Sequence, residues 1–211
     1  MVVGYHLIIT AYGFWLPNDP RGSWSDFVGS WELLRFGPAT KTDSRRSVAA
    51  RPHDHRWRLE AKEALKYPEV HFTGVQARQI GMSFDDWARL RGATIWACSI
   101  LPEHVHLVVA RHRYKIEQVA NLLKGASTRA LVAAGLHPLA RFAGAKQQLP
   151  KMWARSEWKV FLDDTADIRR AIRYVEQNPL KEGKPEQRWQ CVTEFDGTTG
   201  GATERFPSGR G

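Results

Sequence analysis

Alternating apolar and polar positions begin almost at the first residue. Tyr5 to Tyr12 (YHLIITAY) is dense in β-branched and aromatic types and stops at Gly13, which predicts a first strand. From Pro17 to about residue 57 no period holds, and Gly, Pro, Ser, Asp and Arg crowd the stretch. It reads as an inserted loop, longer than compact domains usually leave unstructured. Arg58 to Leu65 predicts a short helix. Ser83 to Arg91 predicts another, with Ser83 as N-cap, Asp85 and Asp86 in the first turn and Gly92 past the end. Ala93 to Leu101 and His104 to Ala110 are apolar β-type runs separated by Pro102 and Glu103, the pattern of a hairpin. Lys115 to Ala134 then turns helical, with Ile116, Val119, Ala120, Leu123 and Leu131 near a 3.6-residue period and Gly135 as its stop. Met152 to Leu162 predicts a further strand. Thr165 to Gln177 predicts a last helix, opened by Asp164 and ended at Pro179, whose ring disfavours helix at the residue before it.

The order strand, helix, strand, strand, helix, strand, helix is that of an α+β fold: a ferredoxin-like antiparallel sheet with helices on one face. One domain is expected over residues 1–195, with the loop at about 17–57 inserted in it. Residues 196–211, rich in Gly and polar types, are expected to form a flexible tail.

Composition adds the sign of the surface. Lys and Arg number 31 against 22 Asp and Glu, a net charge of +9, which favours polyanionic partners such as nucleic acid. With 43% apolar residues, nine Trp and nine Phe, wholesale disorder is excluded. Apolar runs fall far short of the ~20 residues of a bilayer span, and no basic segment followed by an apolar one opens the chain. Cys98 and Cys191 are too few for a disulfide framework or a cysteine zinc site. The expectation is a cytoplasmic protein with no membrane partner.

The chemistry gathers at two places. Residues two apart on a strand share a face, so His104 and His106 stand side by side while Val105 turns away, and two such imidazoles can share a metal ion. A His-x-His can equally decorate a strand, but here it follows the tight Leu101-Pro102-Glu103 turn in an otherwise apolar hairpin. A second pair, His53 and His55, lies where no strand period holds the rings parallel. A histidine-triad hydrolase would need a third His at position 108, which is Val. On the last helix Ile168, Ala171, Ile172 and Val175 form an apolar stripe, and Arg169, Arg170 and Arg173 lie opposite. Tyr174 falls roughly 110° from the stripe's centre at ~100° per residue, the place of a half-exposed phenol. Asn178, at i+4, faces the same side. Taken alone, the pair is also what an interfacial Tyr followed by an Asn would give.

Together these residues resemble the single-tyrosine HUH transposases, specifically the REP-associated tyrosine transposases related to insertion-sequence-200 elements. The run Leu101-Pro102-Glu103-His104-Val105-His106 and the signature from Tyr174 through Asn178-Pro179 to Gly183 carry the likeness. Leu123-Lys124-Gly125 through Arg129, the segment Trp153 to Trp158, and the opening Tyr5-His6 strand with Trp15-Leu16-Pro17 are similar too. The resemblance covers about residues 1–195, with little matched between roughly 23 and 75.

What the resemblance implies is an HUH endonuclease fold in which His104 and His106 are metal ligands, Asn178 a third ligand through its amide oxygen, and Tyr174 the nucleophile. The cofactor would be a divalent ion, Mg²⁺ or Mn²⁺. The reaction would be cleavage and rejoining of single-stranded, hairpin-bearing DNA through a 5′-phosphotyrosine, with a homodimer exchanging active-site helices as one possible assembly. Lys124, Arg129, Arg169, Arg170 and Arg173 can follow a DNA backbone, or simply form solvated helix faces. Trp15, Trp24 and Trp31, interleaved with Arg21 and Arg35, can stack unpaired bases or anchor the loop. Two rival readings stay open: a nucleic-acid-binding domain without catalysis, and a metal-dependent phosphodiesterase in which water attacks.

Overall fold

The computed structural model describes residues 1–42, 44 and 48–198. Its elements are β1 (Gly4–Ala11), α1 (Trp31–Leu34), α2 (His55–Glu63), α3 (Gly74–Arg91), β2 (Ile95–Ile100), β3 (His104–Ala110), α4 (Ile116–Ala133), β4 (Trp153–Leu162) and α5 (Thr165–Lys181). The four strands form one antiparallel sheet in the order β2-β3-β1-β4, the ferredoxin-like arrangement that the alternation predicts. Leu7, Ile9, Val105, Leu107 and Cys98 point to one face, where α3 and α4 cover them. Strand alternation therefore turns His6, His104, His106 and Val108 to the other face.

That other face is not bare. Ile168, Ala171 and Val175 of α5 bury themselves against Trp96, Ala97, Val108 and Leu162. The expectation of helices on one face holds for the two crossover helices, α3 and α4; α5, which carries Tyr174, lies across the opposite face. An apolar stripe on the last helix shows that it packs, but not on which side of the sheet.

Two helix ends differ from the sequence reading. Ser83 is not an N-cap: α3 starts nine residues earlier, where Thr73 and Gln76 cap each other reciprocally, and the Ser83 hydroxyl donates to Ile80 O at 2.7 Å inside the helix. The longer helix brings Ile80 into the core, worth about 1.5–3 kcal/mol. Gly74 and Gly81, each costing a helix roughly 1 kcal/mol, are what hide it in the sequence. Gly81 has its own reason, since a Cβ there would run into the Trp189 ring.

The second difference is α5, which does not stop before Pro179 but continues to Lys181. Pro179 forfeits one main-chain donor and is buried with Asn178. Gly183, at φ 67°, then closes the helix: its N–H donates to Leu180 O at 3.0 Å and that of Lys184 to Pro179 O at 2.9 Å, a Schellman ending.

The segment expected to be one structureless loop contains α1 and the start of α2. Its Leu33 and Phe36 pack with the flanking Leu16 and Ala61 into a small separate core. Beyond α5, residues 187–195 run along the edge strand β2. Gln187 pairs through its amide with both main-chain groups of Ile100 at 2.8 Å, and Thr193 N–H donates to Ile95 O at 2.8 Å. The tail expected over 196–211 lies, from residue 199 onward, outside the described residues.

Candidate active site

Antiparallel pairing of β1 with β3 sets His106 opposite Ile8, and His6 opposite Val108. His6 therefore stands diagonal to His106 on the same face. Their rings lie 5.2 Å apart, near parallel, with His6 Nε2 3.0 Å from His106 Nδ1. The rings of His104 and His106 are 4.8 Å apart, and Phe14 lies flat on His104 at 5.0 Å. Burial lowers His6 and His104 to about 4, the latter against the opposing pull of Glu103. Burial, then the neighbouring imidazoles, hold His106 well below the ordinary value. All three rings are thus neutral at pH 7, the form that donates a nitrogen lone pair.

Into this cluster α5 brings Tyr174. Its ring centre is 5.6 Å from those of both His6 and His106, and the residue is 42% exposed, the half-buried phenol that the helical spacing predicts. The Lys181 ammonium sits 4.9 Å from the ring centre. Burial raises the phenol above its usual value, and the negative charge of Glu182 adds to the effect. Asn178 is buried one turn on, and its amide nitrogen has no hydrogen-bond partner. A further turn along, Glu182 holds a carboxylate oxygen 3.9 Å from His104 Nε2; burial and then Glu103 raise that carboxyl, with Lys184 opposing.

A divalent ion is the group the sequence resemblance implies here. Among the described residues no three His, Cys, Asp or Glu side chains form a metal-holding group, and an amide oxygen is a donor of another type. Asn178 fits. Its unpartnered amide nitrogen leaves the group free to turn its oxygen toward the imidazoles, and with Nδ1–H of His106 donating to His6 Nε2, the Nε2 lone pair of His106 is left open.

The site opens into a cleft of about 740 Å³ whose walls include Phe14, Trp24, Phe27, Arg155 and Trp158. Of the loop tryptophans, Trp24 enters this cleft. Trp15 lines it too, but is locked, its N–H donating to Gly22 O at 2.8 Å and the Arg21 guanidinium 3.9 Å over its ring. Trp31 lies outside the lining and is 87% exposed. The rings of His53 and His55 lie 4.1 Å apart at a tilt of 41°, away from the cleft lining.

The basic residues divide. Arg169, Arg170 and Arg173 are exposed on α5 but do not line the cleft, and Arg170 is paired with Asp167. Arg129 is exposed on α4, across the sheet. Lys124 departs from the DNA-contact expectation: it is buried, its ammonium 3.1 Å from Glu157 Oε2 and within 3.2 and 3.3 Å of the carbonyls of Arg155 and Ser156. The cause is a slip in β-pairing. Ile9 faces Glu157 while Ala11 faces Trp153, so β4 carries extra residues there, and the ammonium takes up the carbonyls at the slip. Tyr5, Tyr12, Tyr67 and Tyr114 pack against the core, and of these only Tyr12 shares the cleft lining with Tyr174.

His6, Glu182, Phe14 and Lys181 are the neighbours that the sequence reading did not assign to the site. A family model described as "Transposase IS200 like" matches residues 64–178, more than half of the chain and a span that contains His104, His106, Tyr174 and Asn178. No curated protein matches the sequence. Among solved structures, a REP-associated tyrosine transposase bound to a REP hairpin is similar, at 15% identity and a TM-score of 0.46, over 86% of this chain and 68% of that one. A candidate transposase from Deinococcus radiodurans R1 is similar at 16% identity and a TM-score of 0.39, over 87% and 92%. Among the described residues no helix is long and apolar enough to cross a membrane.

Proposed function

Since the chain belongs to the IS200-like transposase family, we propose that it cuts and rejoins single-stranded, hairpin-bearing DNA with Tyr174 as the nucleophile. The observation that carries this reading is the meeting of Tyr174, at 5.6 Å, with the His106 ring in an open cleft, with Asn178 one turn along the same helix. The Tyr174 oxygen attacks the scissile phosphorus and the bond to the 3′-oxygen breaks. This leaves a 5′-phosphotyrosine and a 3′-oxygen that takes up a proton to become the free 3′-OH. One phosphodiester replaces another, so the step needs no ATP and reverses onto a different 3′-OH.

The phenol, raised above its usual value, arrives protonated and gives up its proton as the new bond forms. A divalent ion, Mg²⁺ or Mn²⁺, held by His104, His106 and the Asn178 amide oxygen, supplies Lewis acidity toward the phosphate when bound. His6 holds the His106 ring in orientation, and Phe14 excludes water from one face of His104.

The test is a denaturing gel with DNA labelled on the 3′ side of the cut. Wild type should carry the label as a protein adduct; Tyr174→Phe should give neither adduct nor cut. Cutting by that variant without an adduct would make water the nucleophile, and wild type that binds but never cuts would leave a binding module.

A further inference from the structure

Four rings form a continuous series, of which Tyr174, Trp158 and Trp24 line the cleft. Tyr174 touches His6 at 5.6 Å, His6 faces Trp158 at 6.4 Å, and Trp158 stacks on Trp24 at 5.4 Å with 26° between the planes. Trp24 ends the series. One face is backed by Trp158, and the residue is 36% exposed to the cleft. Beside it Phe27, 54% exposed, lies under the Arg155 guanidinium at 5.0 Å.

The loop holds Trp24 in place by its main chain. The residue before it, Ser23, donates its hydroxyl to Pro17 O, donates its N–H to Thr40 O at 2.8 Å and accepts from Thr42 N–H at 2.9 Å. Asp19, fully buried, grips Arg21 through two hydrogen bonds at 2.8 Å. The main chain leading into Trp24 is thus set and Trp158 backs one face of its ring, and an indole placed this way loses little entropy on binding.

Resting on the reading of this cleft as a DNA site, we infer that Trp24 is the stacking platform for an unpaired nucleobase next to the scissile phosphate, with Arg155 and Lys151 of the same cleft toward the strand's phosphates. An aromatic plane with one free face is what an unpaired base can use and a paired, stacked base cannot. Stacking is tolerant of base identity because every base has a π-face. Trp15 cannot serve, being covered by Arg21, and Trp31 lies outside the cleft.

The experiment pairs a protein change with a DNA change. A hairpin oligonucleotide with unpaired flanks is titrated against the Tyr174→Phe protein, which binds without cutting, with and without Trp24→Ala. The series is repeated with an abasic site replacing each unpaired nucleotide in turn. Trp24→Ala should weaken binding of the intact strand by about 5- to 150-fold. One abasic position should give the same loss, and the two changes together no further loss. Trp24→Phe, which keeps a ring, should recover most of the affinity.

Unchanged affinity in Trp24→Ala overturns the inference, as do losses that multiply at every abasic position, since the indole would then merely support the loop. Adduct formation through wild-type Tyr174 is scored separately. An adduct with no Trp24 effect removes only this inference, whereas wild type that neither binds nor forms an adduct removes the underlying reading as well.

Discussion

His6 on the first strand meets His106 on the third at 3.0 Å, across 100 residues of sequence. Between two neutral rings one nitrogen donates and the other accepts. If His106 offers Nε2 to a metal, its Nδ1–H donates to His6 Nε2. His6→Ala should then lower Mn²⁺ affinity by roughly 10- to 100-fold. His6→Gln, whose amide oxygen accepts from a similar position, should restore most of it. Calorimetric titration of the purified variants decides, and equal affinity in wild type and His6→Ala would falsify the orienting role.

Acid should destabilise the metal-free protein over a defined window. His6 and His104 stand at about 4 in the folded chain, against ~6.5 for an unperturbed histidine. Between these values the unfolded chain binds more protons than the folded one, so stability falls as pH falls from 6.5 to 4. The loss is on the order of 3 kcal/mol per ring at pH 4. Denaturation midpoints measured in chelator at pH 7, 5.5 and 4.5 should decline along this course, less steeply in His6→Gln. A flat profile would contradict the burial of these rings.

Lys124 should matter for folding and not for DNA contact. Removing its ammonium leaves Glu157, with a side chain only 11% exposed, without its ion-pair partner. Lys124→Ala should cost about 3–5 kcal/mol in chemical denaturation. The slope of DNA affinity against salt should stay that of the wild type. A slope reduced by about one ion, with stability intact, would return Lys124 to the phosphate backbone.

The two signatures that mark the site are legible because their geometry is local. A period of two puts His104 beside His106, and a helical turn puts Asn178 beside Tyr174. His6 escaped because only the register of β1 on β3 shows which rings it meets. Lys124 was misplaced although its position carries a signal: it follows Leu123 and stands four residues from Ala120, within the buried stripe of α4. A charge inside such a stripe argues for a buried partner before it argues for a ligand. Pro179 misled for a third reason, since burial of α5 against the sheet outweighs the one main-chain bond the ring removes.

The clasp of Gln187 on Ile100 bears on how copies of this chain can meet. An edge strand with free N–H and C=O groups invites another strand to continue the sheet. At β2 a side-chain amide occupies both groups of Ile100, and Thr193 takes the carbonyl of Ile95. A neighbouring molecule would have to peel the segment around Gln187 to Thr193 away before its own backbone could dock there. The sheet therefore ends at β2 by its own means, and edge-to-edge polymerisation on that side is blocked by the chain's own C-terminal segment.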